Sequence, residues 1–257
     1  MTDLVDAAPC EHLSWDSAYW GFPVARVLGD SLTRERVAAI DHWCEANAIA
    51  CLYFLATFDD PTTVRCAEDA GFRLVDMRVS AVLTAERFAL FVPPTPRPGL
   101  IVRPAMAADL PALQRMASDS YLTTRFYFDP HFPRDKCAAL YAHWITESFR
   151  GQADQVLVVE FAGAPAGYTT LHLPTSDAAA RVSLLNTAPD ARRRGVAKEL
   201  LRAGFAWFAL HDVHEFVGVT QARNMAVQGF NSQIGFVTQS CGLWYHKWYR
   251  VPGSLTS

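Results

Sequence analysis

The sequence predicts a mixed α/β architecture in two parts, and three observations carry that expectation. Short apolar runs of strand character alternate with amphipathic helical stretches along the 257 residues. The segment "FVPPTPRPGL" (Phe91 to Leu100) carries four prolines. A strand, short helix, Gly-Phe, strand pattern occurs twice, once on each side of those prolines. Proline removes backbone donors and fixes φ, so the proline-rich stretch reads as an extended linker. The expected organisation is a small N-terminal α/β domain over 1–92, a linker over 93–100 and a larger domain over 101–257.

In the first part, "AIACLYFLATF" (Ala48 to Phe58) is too short to span a bilayer and reads as a buried strand. The second part reads as strand Ile101–Arg103, a helix from about Asp109 to Leu122, and an irregular aromatic stretch "TRFYFDPHFP". A helix over about Arg134 to Phe149 follows, with Cys137, Leu140, Tyr141 and Trp144 at helical spacing. "DQVLVVEF" and "AGYTTLHL" are strand-like and joined by Ala162-Gly163-Ala164-Pro165, a hairpin pattern. "ARVSLLNT" feeds an arginine-rich turn and a helix. "EFVGVTQ", a short helix over Asn224 to Ile234, and a strand around "WYHKWY" complete the order.

The repeat aligns Gly71-Phe72 with Gly235-Phe236, and eleven residues earlier Asp60 with Asn224. Matching element order on both sides strengthens an otherwise weak signal. The N-terminal part has no arginine-glycine turn, so no cofactor is expected there.

Composition excludes several classes. A net charge of -3 argues against general affinity for nucleic acid or an anionic membrane. Six cysteines show no CxxC and no metal-ligand spacing, so reduced thiols in a cytoplasmic protein and no metal are expected. The acidic N-terminus lacks the basic region of a signal peptide.

The chemistry centres on "NTAPDARRRGVAKELL" (Asn186 to Leu201). After a strand, the amides of a helix N-terminus lack intrahelical partners and face the positive end of the dipole, which makes an anion site. Gly195 lets backbone approach a phosphate and Ala197 keeps the next turn small. Arg192, Arg193 and Arg194 add positive charge that would oppose the dipole without an anion. Val196, Leu200, Leu201, Phe205 and Phe208 form the apolar face behind the turn. Neither a GxxxxGK[ST] loop nor a GxGxxG fingerprint is present.

The spacing Arg192-x-x-Gly195-x-Ala197, after a strand and opening a helix, resembles the pyrophosphate-binding motif of the GNAT superfamily of acyl-CoA-dependent N-acyltransferases. "IVRPAMAADLPALQRMA" and the segment Asn224 to Phe236 resemble that superfamily's first strand-helix and its closing segment, so the resemblance covers about Ile101 to Tyr249. It implies a GNAT fold, a mixed and mostly antiparallel central sheet flanked by helices, with the smaller domain as a partial GNAT repeat. A closer resemblance is to the TDP-fucosamine acetyltransferases within it. That likeness runs through "WDSAYWGFPVARV", "LQRMASDSYLTTRFYF", "YAHWITESFRG" and "VTQARN".

The resemblance implies transfer of acetyl from acetyl-CoA, as co-substrate, to the amine of a TDP-linked amino sugar. It implies cofactor contacts at Thr187, Arg192 to Ala197 and Asn224, with backbone N–H groups near Thr187 polarising the thioester. In the superfamily a tyrosine seven residues after the helix-starting Asn protonates the departing thiolate; here that place holds Asn231. Three alternatives stay open: Asn231 stabilises the thiolate, Tyr245 or His246 supplies the proton, or the chemistry is altered. His143, His172, Glu160 and Asp129 are candidate bases. Arg125, Tyr127 and His131, an arginine and a histidine among aromatics, are the expected acceptor-binding residues. Alternative functions are acylation of another small-molecule amine, or acyl-CoA binding without catalysis. The small domain can serve dimerisation or acceptor binding, so a homodimer is one expected assembly.

Overall fold

A computed structural model describes residues 8–251. The chain begins with β1 (Cys10–His12), α1 (Ser14–Trp20), β2 (Val24–Val27), α2 (Arg34–Ala46), β3 (Cys51–Thr57) and α3 (Pro61–Asp69). It continues with β4 (Arg73–Thr84), α4 (Ala85–Phe91), β5 (Leu100–Pro104), α5 (Leu110–Ser120), α6 (Arg125–Phe128) and α7 (Arg134–Glu147). Then follow β6 (Gln155–Phe161), β7 (Ala164–His172), β8 (Arg181–Thr187), α8 (Val196–Ala209), β9 (Glu215–Gln221), α9 (Met225–Ile234) and β10 (Val237–Trp248). No helix among the described residues is long and apolar enough to cross a membrane.

Two compact units result, and they are interleaved in sequence. One gathers the chain up to Arg78, Thr124–Pro133 and the chain from Cys241; the other is Val79–Thr123 with Arg134–Ser240. This partition differs from the expected division at the prolines, and packing is the reason. Phe88 and Val92 of the N-terminal 92 residues share a buried cluster with Val196, Leu200 and Phe208. Leu243 and Tyr245, from the C-terminal strand, are buried with Phe54 and Phe72. Composition marks where periodicity breaks, whereas a unit follows where apolar side chains meet.

In the first unit the strand order is β1-β2-β3-β10-β4. β3 lies parallel to β2 and antiparallel to β10, with Tyr53 opposite His246. "CLYFLAT" is buried along nearly its whole length, as expected of a strand covered on both faces. Asp60 caps α3 by accepting from the Thr62 and Thr63 amides.

The second unit has the order β4-β9-β8-β7-β6-β5. Strands β5 to β8 are antiparallel and β9 is parallel to β8. The β6–β7 hairpin turns through Ala162 and Gly163, at φ 52° and 80°. Two consecutive positive φ values match the twist of paired strands, which is why the Ala-Gly pair was legible as a turn. The internal repeat appears in element order: β3, α3, β4 and β9, α9, β10, with Asp60 and Asn224 as N-caps. Gly71 and Gly235 close the two helices at φ 81° and 96°.

A bulge shapes the middle of this sheet. Thr169 pairs with Leu185 and Leu171 with Val182, so Ser183 and Leu184 together oppose Thr170. The Leu184 N–H donates to Thr170 Oγ1 at 2.9 Å, and Thr169 Oγ1 donates to the Leu184 carbonyl at 3.0 Å. Two buried threonines thus satisfy the backbone groups that the bulge takes out of the ladder. Beside it, Gly167 holds β7, β8 and α8 close together. A Cβ there would come within 2.6 Å of the Asn186 carbonyl oxygen and 2.7 Å of Val196 Cγ1.

Gly167→Ala is therefore expected to cost about 1–3 kcal/mol, the usual penalty of overpacking a tight site. Urea denaturation measures it, and an unchanged midpoint would show that this approach is not a constraint.

Candidate active site

The turn before α8 is built by backbone, not by capping side chains. Residues Pro189–Ala191 make a 3-10 turn, Arg193 adopts φ 61°, and Gly195 is the N-cap at φ 90°. A non-glycine residue in the left-handed region is uncommon and sits here in the turn that leads into α8. Among the described residues no side chain caps α8, so its first-turn amides have no partner from that source. The helix is fixed from behind by Val196, Leu200, Leu201 and Phe208, all essentially buried. Each such side chain contributes about 1.5–3 kcal/mol of burial.

Arg192, Arg193 and Arg194 are exposed. Arg194 is held by donating Nε–H to the Asp190 carbonyl at 3.3 Å and by lying 4.9 Å from the Phe161 ring centroid. Among the described residues no carboxylate pairs with Arg192 or Arg193. Val196, expected at the cofactor, points its side chain into the core, so only its backbone faces the turn. Ala197 is half-buried.

Thr187 ends β8, the strand that leads into this turn. β8 and β9 pair at Arg181↔Val217 and Val182↔Gly218, the start of β8, ahead of the bulge. The end of β8 is fixed from its side by Asn186. Its Nδ2 donates to the Met116 carbonyl at 3.0 Å, and Ser120 Oγ donates to its Oδ1 at 3.2 Å. Tyr121 stacks on Tyr141 at 4.1 Å and donates to the Leu185 carbonyl at 3.4 Å. Burial pushes the Tyr121 and Tyr168 hydroxyls upward, Tyr168 to about 12.

Asn231 is half-buried on α9, in the wall of a polar cavity of about 230 Å³ with Thr220, Gln228, Ser232 and Thr238. The cavity offers uncharged donors and acceptors only. Asn224 serves as the N-cap of α9, accepting from the Val227 amide at 3.3 Å, a structural task that accounts for its side chain.

In the first unit, Arg125 is half-buried, its guanidinium 3.8 Å from the Trp244 ring centroid and 4.5 Å from that of Tyr53. Tyr127 is half-buried on α6. His131 is tied to Asp129, its Nδ1 at 2.8 Å and its backbone N–H at 3.1 Å from Asp129 Oδ1. Asp129 Oδ2 accepts from His246 Nδ1 at 2.7 Å and Trp248 Nε1 at 2.9 Å. A buried carboxylate that only accepts selects the Nδ1–H tautomer of both histidines and leaves each Nε2 as the basic atom. His131 is 37% exposed, whereas His246 is buried and its Nε2 has no hydrogen-bond partner among the described residues.

Tyr245, a candidate proton donor, is 1% exposed and lies in the core beside Phe54. Its strand position turns it inward, so it packs rather than faces solvent. Of the other candidate bases, Glu160 accepts from Arg103 Nε at 2.8 Å and is half of an ion pair. His172 is buried against Arg181, and burial together with that charge holds it below the usual histidine range. His143 is half-buried on α7. The bulge threonines and Gly167 went unread in sequence. Their signal was the pair of hydroxyls and the glycine in "AGYTTLHL", an otherwise apolar strand.

The acetyltransferase (GNAT) domain model matches residues 99–237. The dTDP-fucosamine acetyltransferase of Escherichia coli O6:H1 is 27% identical over 247 residues, covering 93% of this chain and 98% of that one. The spore coat polysaccharide biosynthesis protein SpsD of Bacillus subtilis is 24% identical over 188 residues, 71% of this chain and 64% of that one. A solved GCN5-related N-acetyltransferase from Sphaerobacter thermophilus shares the fold at a TM-score of 0.63 and 16% identity, over 94% of this chain and 76% of that one.

The Asp129 network generates a pH dependence. Burial pushes the His246 imidazole down from 6.5 to about 4, against the hydrogen bond it donates to Asp129. Between those values the unfolded chain binds a proton that the folded chain refuses, so stability falls as pH drops from 6.5 to 4. Burial pushes the Asp129 carboxyl up, but the bonds from His246 and Trp248 outweigh it and hold the group below its usual range. Its contribution is present above about 4 and is lost only at lower pH. The free energy of unfolding in urea is expected to fall on the order of 3 kcal/mol from this histidine over that window. His246→Asn, which keeps a donor for Asp129, is expected to flatten the fall; an equal slope would contradict the assignment.

Proposed function

We propose, from the premise that this chain belongs to the GNAT acetyltransferase family, that it moves acetyl from acetyl-CoA to the amine of a nucleotide-activated amino sugar. As a family member it is an acyl-CoA-dependent N-acyltransferase. The observation that carries the acetyl-CoA reading is the uncapped N-terminus of α8, with Gly195 at φ 90° and two arginines unpaired by any described carboxylate. Free amides, a positive dipole end and mobile guanidinium groups suit a diphosphate. Arg192, Arg193 and Arg194, with the backbone from Gly195 to Ala197, would hold it. Bound acetyl-CoA supplies the activated acyl carbon.

The chain's own residues then have distinct tasks. Backbone N–H groups at the end of β8, near Thr187, donate to the thioester oxygen as charge develops on it. The Asn186 bonds to the α5 backbone and the bulge hold that strand end in place. A neutral amine attacks the acyl carbon; the new C–N bond forms, the C–S bond breaks, and the nitrogen loses one proton to solvent or base. Asn231 donates from its amide to the departing thiolate. A thiol of pKa about 8.5 leaves tolerably as the anion, so a hydrogen bond without proton transfer suffices.

For the acceptor, support comes from the relative of 27% identity, whose name makes it a dTDP-fucosamine acetyltransferase and which aligns over nearly its whole length. Arg125, Tyr127 and His131 combine cation, ring and hydrogen-bonding groups suited to a phosphorylated sugar nucleotide.

Free-thiol release from acetyl-CoA, with mass spectrometry of products, tests this. TDP-4-amino-dideoxyhexoses are expected to support release, and simple amines or amine antibiotics are not. Asn231→Ala is expected to lower kcat on the order of tenfold while CoA affinity holds. Release with simple amines alone would overturn the acceptor class; an unchanged kcat would remove Asn231 from the mechanism.

A further inference from the structure

Arg97 lies in the proline-rich stretch ahead of β5, and its placement is constrained from three directions. Pro96 and Pro98 flank it. Each proline fixes its own φ and drives the residue before it toward extended backbone. The Arg97 carbonyl accepts the Leu100 N–H at 3.3 Å, and Gly99 has φ 80°. Residues Arg97 to Leu100 therefore form a β-turn with Pro second and Gly third, the type II pattern. A stretch that composition marks as linker is a rigid mount for one arginine.

The side chain on that mount reaches the α8 N-terminus. A Cβ built on Gly195 would come within 2.7 Å of Arg97 Cδ and 2.8 Å of Arg97 Nε. Glycine at 195 is favoured by its positive φ, and the Arg97 side chain lies over the space beside it. Among the described residues no carboxylate pairs with Arg97, as with Arg192 and Arg193. Cationic groups at the positive end of a helix dipole repel it and one another unless an anion lies among them.

We infer that Arg97 is a ligand of the CoA diphosphate, joining Arg192 to Arg194 from a separate stretch of chain. This rests on the acetyl-CoA reading of the α8 turn. The turn fixes the Arg97 backbone before any ligand arrives, so little ordering is left to oppose binding. Its guanidinium can give two parallel hydrogen bonds to one phosphate, which a lysine cannot.

Calorimetric titration of the wild type, Arg97→Ala and Arg97→Lys with CoA and with 3′-dephospho-CoA tests the assignment. The alanine variant is expected to lose about tenfold in affinity for both ligands, the worth of one charge-assisted contact. Arg97→Lys is expected to recover part of it, and thermal midpoints to stay put because Arg97 is exposed. Equal affinity in Arg97→Ala would make the contact with Gly195 mere packing. Tighter binding would make Arg97 a strap that competes with the ligand. A loss seen with CoA but not with 3′-dephospho-CoA would move Arg97 to the 3′-phosphate. Each of these overturns the proposal. Failure of the wild type to bind either ligand would instead remove the acetyl-CoA reading, and Arg97's role with it.

Discussion

The close approach of β7, β8 and the first turn of α8 at Gly167 is the constraint on which the candidate active site depends. With only a hydrogen on that residue, the Asn186 carbonyl and Val196 come to within what would be clashing distance of a Cβ. The strand end and the helix start are thereby set against one another by packing rather than by a hydrogen bond. Core packing is dense and tolerates little added volume, so their relation is fixed to a few tenths of an ångström. The bulge at Ser183 and Leu184 adds to this, because it bends β8 and is itself held by Thr169 and Thr170. Anion-binding backbone is useful only when so held, since free loops lose ordering entropy on binding.

Much of this was legible in the sequence because it is local. Arg192 to Ala197 sit at a strand-to-helix junction that periodicity locates, and the helix face behind them repeats at helical spacing. The Ala162-Gly163 turn and the helix start at Asn224 are likewise local, since each is decided by the residue itself and its neighbours within four positions. What escaped is long-range. The need for glycine at 167 comes from Asn186 and Val196, nineteen or more positions away. The interleaving of the two units comes from Leu243 and Tyr245 packing with Phe54. Tyr245 is the clearest case: its residue type suggested an acid, but the strand register turned it into the core.

Charge divides along the same lines. Away from α8 the charged groups are paired: Asp129 accepts from His131, His246 and Trp248, and Arg103 is shared by Asp109 and Glu160. Buried or half-buried ions kept in this way are stabilised by their partners and are costly to break. At the α8 N-terminus the pattern reverses: among the described residues Arg192 and Arg193 have no acidic partner and no side chain caps the helix. Unmatched groups of one sign on a rigid support are the signature of a site that waits for a ligand of the opposite sign.

The most direct test of this account is amide hydrogen exchange with and without saturating CoA. Slowed exchange at Arg193 to Lys198, with little change across β5 and β6, is the predicted result. CoA that binds while those amides exchange as before would contradict the assignment of the α8 turn as the diphosphate site.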